Sequence, residues 1–532
     1  MKKFILPALF IILFSVVMVL SVRGRAGNPT DQELNSPDWV ENGPFELSPE
    51  RARFALLYSI IENKSLVFDS ALAQFASPDV AIYNNQFVSL FAPGVSLMVI
   101  PGYLVGKVFG VSQVGTFAVV SIFALLNAFL VRAIAIRLGA SKRGALFGAL
   151  AFLFATPAFT YAVTLYQHHL SLFFILFSFY LLITKKGNWV MVPVWFLLGS
   201  AFLLDYPNLF LVLPIAFLGL SRLISKVRER EAIVFNLKLG GLLTAIFILP
   251  PLLFLALFNQ ESYGSPTQLS GTLPRAIEYG IKLGSGDPIL RDIGVSGSVS
   301  SAQDIKQYIQ KKTDLSQKTA IGAFETRNML NGIYIQFFSP DRGAIIYSPV
   351  ILLGLLGLIM AYRKKVKYLY VLVGIAGIDV LLYSMWGDPW GGWAFGSRYL
   401  IPAYAVLGIL LALVITYWKK HLIFSVIVLS LFIYSAYVNT AGALSSSKNP
   451  PQVEVLALEK ITKVQQKYTF SRNLDYLSAG KSKSFIFASF AGNYMSASEY
   501  FIAVFGLIIV SGTFVLFSQW LTDKTQSKIK IS

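Results

Sequence analysis

The sequence predicts an all-α polytopic membrane protein with about twelve transmembrane helices and large extracytoplasmic loops. Of its 532 residues, 55% are hydrophobic and only 14% are charged, and the mean hydropathy is +0.63. Soluble domains carry about 25% charged residues, and several runs here approach the roughly 20 apolar residues that cross a bilayer. A soluble enzyme is therefore excluded, and so is a disordered or fibrous chain.

Composition also limits the chemistry. The chain has no Cys and three His, so disulfides, thiolate metal sites and cysteine nucleophiles are excluded. Three His also argue against a multi-histidine zinc centre. The net charge of +18 is explained by the excess of Lys and Arg that cytoplasmic loops carry, and no nucleic-acid partner is expected.

Twelve apolar runs give the topology. The run from Phe4 to Val22 follows Lys2-Lys3 and has no small-x-small cleavage site, which predicts an uncleaved first helix with its N-terminus inside. The other spans are predicted near 113–136, 144–163, 166–184, 188–204, 206–222, 237–258, 343–361, 367–386, 397–417, 421–439 and 500–521. The apolar segment Leu90–Phe109 is interrupted by Pro and Gly, which predicts an interfacial or re-entrant helix.

Charge is distributed as this topology requires. The short inside loops hold 22 of the 45 basic residues and only three acids, Glu229, Glu231 and Asp523. The outer segments 23–112, 259–342 and 440–499 are much longer than connections need to be, which is typical of functional loops. We therefore expect a core over 1–440 that includes the first two of these loops, an extracytoplasmic segment 441–499 of unknown role, and a last helix with a cytoplasmic tail over 500–532.

The first outer loop contains the first candidate pair for chemistry. Glu50 and Arg53 are three residues apart, so a helix that begins after Ser48 places them on one face. The alternative is structural, with Ser48 as the N-cap and Glu50 as an acid that compensates the helix dipole. The spacing alone leaves both interpretations open.

Several further motifs follow in order. They are Asp79-x-x-x-Tyr83-Asn84, Ser89-x-x-Ala92-Pro93-Gly94, Asn259 with Tyr263-Gly264-Ser265-Pro266, Phe338-Ser339-Pro340-Asp341-Arg342, and the run from Trp386 to Pro402. Together with Glu50-x-x-Arg53 they resemble the GT-C superfamily of membrane glycosyltransferases, among them the protein O-mannosyltransferase (family 39-like) and lipid A aminoarabinose transferase families. The resemblance covers most of residues 1–440, and no motif falls in 440–499.

The resemblance implies an inverting transfer of a sugar from a polyprenyl-phosphate donor to a lipid, glycan or protein acceptor. It also implies a bacterial cytoplasmic membrane protein whose active site faces outward. A carboxylate must act as general base, and cations must neutralise the leaving phosphate. The candidate bases are Glu50, Asp69 and Asp79, and the candidate substrate-binding residues are Arg53, Tyr83, Arg342, Arg398, Trp390, Trp393, His168 and His169.

One position departs from the resemblance. Relatives often have Lys in the Ser-x-Lys-Ala-Pro-Gly element, where it resembles a contact to the donor phosphate, and this chain has Phe91. The alternatives are therefore another cation, a changed donor or lost activity. No metal is expected, although some superfamily members use a divalent ion, and Asp and Glu would favour Mg²⁺ or Mn²⁺.

Two other functions remain open from the sequence. A transporter or lipid flippase places ionisable residues near mid-membrane, and Asp379 is the deeply placed candidate. A non-catalytic assembly partner is compatible with Phe91. The tryptophans of 386–396 fit an aromatic belt as well as a sugar-stacking surface, and Asp205 fits a helix cap or the wall of a cavity.

Overall fold

The computed structural model describes residues 2–228, 233–276, 322, 324–418 and 421–529, and most of these are helical. Five helices in this part of the chain are long and apolar enough to cross a membrane, and each coincides with a predicted span. They are Ser112–Arg137, Leu239–Tyr263, Arg398–Trp418, Leu422–Leu444 and Ala497–Thr525. The prediction of a helical polytopic membrane protein is confirmed.

Shorter apolar helices coincide with the other predicted spans. Six have 10–17 residues, namely Leu9–Ser21, His168–Thr184, Asn188–Leu204, Asn208–Leu223, Pro349–Arg363 and Leu369–Ser384. The predicted span 144–163 is divided into Lys142–Phe154 and Ala158–Ala162. Pro157 lies at this break, where it supplies no N–H and disfavours helix in the residue before it.

Prolines break other spans in the same way. The segment Leu239–Tyr263 consists of Leu239–Leu242, a 3₁₀ stretch at Leu243–Ile248 and the helix Leu249–Tyr263, which begins with two prolines. On the predicted inner side, a hairpin of Ile224–Arg228 and Ile233–Leu237 connects two spans. Two of the predicted spans, 144–163 and 237–258, therefore correspond to interrupted helices.

The segment Leu90–Phe109 forms two short helices, Gly94–Met98 and Ile100–Val108. The second packs closely on Ser112–Arg137, because a Cβ at Gly102 would lie 2.2 Å from the carbonyl oxygen of Gly115. Neither helix is long enough to cross a bilayer. This geometry agrees with the interfacial or re-entrant helix that the sequence predicts.

The first outer loop is a compact unit around the helix Ser48–Ile61. Strands Val67–Phe68, Gln86–Ser89 and Val80–Tyr83 form an antiparallel sheet in that spatial order. The other elements are Glu33–Asn35, Pro37–Asn42 and Ser70–Ala76. The helix begins at Ser48 itself, one residue earlier than predicted, so Leu47 is the N-cap and the Ser48 hydroxyl is left to donate elsewhere.

The second large loop, 259–342, contains Ser270–Thr272, Thr326–Asn328 and Met329–Phe337. Its middle, residues 277–321, lies outside the described residues. The last outer segment contains the helices Gln452–Thr462, Ser471–Ser478 and Phe485–Ser489 and the 3₁₀ turn Ala491–Asn493.

The outer segment 440–499 is folded onto the first outer loop. Arg23 donates from Nη1 to Glu46 (2.8 Å) and from Nη2 to the carbonyl of Ser445 (2.8 Å), and the Ser447 N–H donates to Glu46 (2.6 Å). Burial opposes ionisation of Glu46, but the charges of Arg23, Lys483 and Lys448 outweigh it and hold the pKa of Glu46 at about 2. The segment that had no motif therefore has a structural role as a clamp.

Candidate functional site

Two buried arginines lie close to one tyrosine ring. The Arg53 guanidinium carbon lies 5.4 Å from the centroid of the Tyr166 ring, and that of Arg398 lies 4.6 Å from it. Only 4% of Arg53 and 9% of Arg398 are exposed. Two like charges in a buried position are unfavourable unless an anion compensates them. We call Arg53, Tyr166, His168 and Arg398 the arginine cluster.

A short polar chain connects this cluster to a carboxylate. Arg53 Nη2 donates to Gln167 Oε1 (2.7 Å), and Gln167 Nε2 donates to Asp205 Oδ2 (3.0 Å). Asp205 follows the helix Met191–Leu204 and is partly exposed. Burial raises the pKa of the Asp205 carboxyl, while Arg53 and the Gln167 hydrogen bond act in the opposite direction. Asp205 is thus linked to Arg53 through one amide side chain.

The cluster also has donors that are buried and unused. Arg398 Nε and Nη1, Arg53 Nε, the Tyr166 hydroxyl and His168 Nε2 have no hydrogen-bond partner. The His168 ring is stacked on Tyr166, with the centroids 5.8 Å apart. Buried polar groups are nearly always paired, and guanidinium N–H groups suit phosphate oxygens. The arrangement can therefore bind an anion such as a phosphate.

Phe91 lies directly against this cluster. The Arg53 guanidinium carbon is 4.5 Å from the centroid of the Phe91 ring. The ring thus covers one face of a planar cation at the position where relatives often have Lys. Arg53 is accordingly the cation that this chain places at the Ser-x-x-Ala-Pro-Gly element.

The loop 386–396, which we call the tryptophan loop, covers Arg398. A Cβ at Gly391 would lie 2.9 Å from Arg398 Nε and 3.0 Å from the Tyr399 ring. Gly391 also has a φ of +70°, a conformation that glycine adopts without steric cost. Glycine at 391 therefore allows the loop backbone to contact the guanidinium group.

Arg342 lies outside the arginine cluster and holds the tryptophan loop. Its Nε donates to Asp341 (2.9 Å), and its Nη1 donates to the carbonyls of Trp390 and, at 3.1 Å, of Gly392. Its side chain is fully buried, and Nη2 has no partner. The contacts of Arg342 are those of a residue that fixes a loop.

The tryptophans of this loop have different environments. Trp393 is buried and donates from Nε1 to Glu454 in the last outer segment (2.7 Å). Trp386 packs edge-on against Phe324, while Trp390 is half-buried. Of the two predicted sugar-binding tryptophans, Trp390 has the more accessible ring, and Trp393 is engaged by the protein.

Glu50, the first candidate base, is buried behind the cluster. Its Oε1 accepts from the Leu165 N–H (3.1 Å), next to Tyr166, and its Oε2 accepts from the Leu47 N–H (3.4 Å). Burial raises the pKa of Glu50, opposed by the charge of Arg23. In this conformation each oxygen satisfies a backbone donor, so Glu50 must turn to reach a substrate.

The alternate carboxylates, Asp69 and Asp79, have hydrogen-bond partners within the first outer loop. Asp69 is the N-cap of Ser70–Ala76 and accepts from the Leu72 N–H (2.8 Å). Asp79 accepts from the Ser48 hydroxyl (2.7 Å) and lies 3.9 Å from Arg275. The Tyr83 hydroxyl packs against Gly264, where a Cβ would be 1.9 Å from it. Tyr83 thus joins two of the sequence motifs.

The two adjacent histidines, His168 and His169, make different contacts. His168 belongs to the arginine cluster, whereas His169 Nε2 lies 2.7 Å from the Ala158 carbonyl and its backbone carbonyl accepts from Asn127 (2.8 Å). His169 therefore ties helices together. Among the described residues, no group of three His, Cys, Asp or Glu side chains is close enough to hold a metal ion.

An apolar cavity of about 220 Å³ lies beside the polar chain. Its walls are Gly94, Leu97 and Met98 of the interrupted segment, Phe174, and Ser200, Leu203 and Leu204. Leu204 is the residue before Asp205, and the lining itself carries no charge. Walls of this kind suit an apolar chain.

Sequence reasoning found part of this site. It proposed Arg53, His168 and Arg398, which the structure brings together, and it left Asp205 between two roles. It missed Tyr166 and Gln167, although Tyr166-Gln167-His168-His169 is a conspicuous polar run at the start of an apolar helix. The structure gives other contacts, described above, to five further predicted residues, namely Asp69, Asp79, Tyr83, Arg342 and His169.

These features define a polytopic helical membrane protein with a buried, arginine-rich site at one end of its helices. No family model and no curated protein matches the chain. Among solved structures it is similar to ArnT from Cupriavidus metallidurans in the apo state, with 14% identity, 96% of this chain and 76% of that chain covered, and a TM-score of 0.43. For the same protein bound to undecaprenyl phosphate, the identity is 14%, 96% of this chain and 77% of that chain are covered, and the TM-score is 0.43.

The chain is also similar to the archaeal oligosaccharyltransferase AglB from Archaeoglobus fulgidus, in complex with an inhibitory peptide and a dolichol-phosphate. The identity is 13%, the TM-score is 0.46, and 89% of this chain and 59% of that chain are covered. At such low identity, the residues of the site itself are the evidence for what this chain binds.

Proposed function

We propose that this protein is an inverting membrane glycosyltransferase that moves a sugar from a polyprenyl-phosphate donor to a lipid, glycan or protein acceptor. The observation that carries the proposal is the pair Arg53 and Arg398 around Tyr166, with guanidinium donors that are buried and unpartnered. A phosphate between them satisfies those donors and balances the two charges.

The chemistry assigns each part a task. The bond between the anomeric carbon and the phosphate oxygen breaks with its electron pair on the phosphate, where Arg53 and Arg398 stabilise the charge. The acceptor oxygen attacks from the opposite face, and its proton passes to a carboxylate. Glu50 is our first candidate for that base, Asp69 and Asp79 are alternates from the same loop, and Asp205 is the carboxylate nearest to the arginines along the hydrogen-bonded chain.

The apolar cavity beside Leu204 supports a lipid-linked donor. It has room for part of an isoprenoid chain, and its walls offer mostly carbon to a ligand. The predicted topology places this end of the helices outside a bacterial cytoplasmic membrane. Acceptor and donor then meet at the extracytoplasmic face, without nucleotide chemistry.

We propose that no metal is needed, because two arginines supply the charge that a divalent ion supplies elsewhere. Mg²⁺ or Mn²⁺ is the form to test. Activity that persists in EDTA is expected. Activity that EDTA abolishes and Mg²⁺ or Mn²⁺ restores would contradict this part of the proposal.

The test uses purified protein in liposomes with a labelled polyprenyl-phosphate sugar, and it measures release of the lipid phosphate. Wild type is compared with Arg398→Gln, and a Lys367→Gln variant at the predicted inner face is the control. We expect release in wild type and control, and loss of donor binding in Arg398→Gln. Movement of the lipid across the bilayer without cleavage would instead establish a flippase, and neither cleavage nor binding would leave a non-catalytic partner.

A further inference from the structure

The outer helix Gln452–Thr462 has two faces of different character. Its inward face buries Val455 and Leu458, while Val453 and Leu456 on the opposite face are 52% and 43% exposed, and Ile461 near the end of the helix is 53% exposed. Val464, just beyond the helix end, is 54% exposed. Val453, Leu456 and Lys460 follow one another at intervals of three and four residues, which is the spacing of one helix face. An apolar stripe therefore points away from the protein.

Lysines accompany that stripe. Lys460 and Lys463 are exposed beside Leu456, Ile461 and Val464. The one acid in the second half of this helix, Glu459, is only partly exposed. Apolar side chains interleaved with lysines are the pattern of helices that lie in a membrane interface and bind anionic headgroups.

The helix is held at the level where spans end. The Gln452 N–H donates to Asp341 (3.1 Å), and Glu454 accepts from Trp393 (2.7 Å). Asp341 lies three residues before the helical turn Ala344–Tyr347, and Trp393 lies five residues before the apolar helix that begins at Arg398. Both contacts are within a few residues of the predicted outer ends of two spans, 343–361 and 397–417, so the start of this helix is near the predicted surface of the bilayer.

We propose that the outward face of Gln452–Thr462 binds the outer surface of the bilayer, with Val453, Leu456, Ile461 and Val464 among the acyl chains and Lys460 and Lys463 on anionic phospholipid headgroups. This surface lies outside the proposed catalytic site. It gives the segment 441–499 a second role, besides its clamp on the first outer loop.

Contact with lipid at this helix has a direct route to the arginine cluster. The helix holds Trp393, and the same loop places Gly391 against Arg398. A helix steadied by the bilayer steadies this loop.

The absence of cysteine from the chain makes the test specific. Leu456→Cys carries an environment-sensitive fluorophore in vesicles of phosphatidylcholine with and without phosphatidylglycerol. Ser478→Cys, an exposed small polar position on another helix of the segment, is the matched control. Quenching by nitroxide-labelled lipid and by aqueous iodide is measured for both.

We expect several-fold stronger lipid quenching and weaker iodide quenching at Leu456→Cys than at Ser478→Cys. A Lys460→Gln, Lys463→Gln background should reduce that difference only when phosphatidylglycerol is present. Iodide access at Leu456→Cys equal to that at Ser478→Cys would overturn the proposal. So would protection from both quenchers, which indicates a protein partner. Unchanged thermal unfolding of the labelled protein shows that the label has not displaced the helix.

Discussion

Arg342 and Arg398 are both buried, but they differ in how many hydrogen-bond partners their guanidinium groups have, and this difference gives the sharpest prediction. Arg342 has an acidic partner and two carbonyl partners, whereas Arg398 has Nε and Nη1 without any. If Arg398 is kept for a ligand phosphate, its replacement and that of Arg342 must have opposite consequences for stability and binding. The perturbations are Arg398→Gln and Arg342→Gln.

The structure gives the magnitudes. Removing Arg342 leaves the buried Asp341 without its cation, a change that costs about 3–5 kcal/mol. Removing Arg398 gives up stacking on Tyr166 and Tyr399 of about 1 kcal/mol but relieves repulsion with Arg53. The stability of the unliganded protein should therefore change by no more than about 1 kcal/mol.

Binding should respond in the opposite order. Two charge-assisted hydrogen bonds to phosphate contribute about 1.5–3 kcal/mol each, so Arg398→Gln should weaken donor lipid binding by roughly 10²–10⁴-fold. The assay is thermal unfolding in detergent with and without undecaprenyl phosphate. Wild type should gain stability with the lipid and Arg398→Gln should not. The reasoning is refuted if Arg398→Gln unfolds as early as Arg342→Gln, or if the lipid stabilises it as much as wild type.

Three other predictions concern single residues. Asp205→Asn keeps an oxygen for the Gln167 amide, so if Asp205 is the base, turnover should fall by about 10²-fold or more while donor binding is retained. If Glu50 is the base, Glu50→Gln should lower turnover in the same way instead. Normal turnover in both variants would exclude both residues as the base. Gly391→Ala should lower the free energy of unfolding by about 1–2 kcal/mol because of the positive φ, and it should lower donor affinity because the added Cβ displaces Arg398. Gly480→Ala is the control, since Gly480 also has a positive φ but lies in open space. Equal donor affinity in the two variants would contradict the contact between Gly391 and Arg398. The pKa of Glu46 lies below its unfolded value, so about 3 kcal/mol of stability is present above pH 4.5 and is lost as the pH falls towards 2. Glu46→Gln should abolish this dependence of stability on acid pH. An unchanged acid-unfolding profile would show that Glu46 is not the source of the acid dependence.

The fold could be predicted from sequence to the level of spans because hydrophobic length and sided charge are local properties. The spans 144–163 and 237–258 are predicted as continuous, and the structure divides both of them near prolines such as Pro157. The packing between helices could not be predicted, since it depends on neighbours such as the close approach of Gly102 to Gly115.

Only those residues of the site that belong to a recognisable motif could be predicted from the sequence. Arg53 and Arg398 are 345 positions apart, and nothing local in the sequence says that both lie close to Tyr166. Arg342 has the same residue type and an equally suggestive motif, yet its donors are used by the tryptophan loop. Charge type can be read from sequence, whereas the partner that satisfies a charge is a property of the folded chain.

Phe91 shows how a departure from a motif is compatible with the same chemistry. A lysine at this position would bring a third cation close to Arg53, whose charge already interacts with that of Arg398. The phenyl ring instead covers one face of the Arg53 guanidinium and limits the orientations of its planar fork. In the proposed site Arg398 is the second cation, so a donor phosphate needs no lysine to balance its charge. A phenyl ring at position 91 is therefore compatible with the proposed transferase.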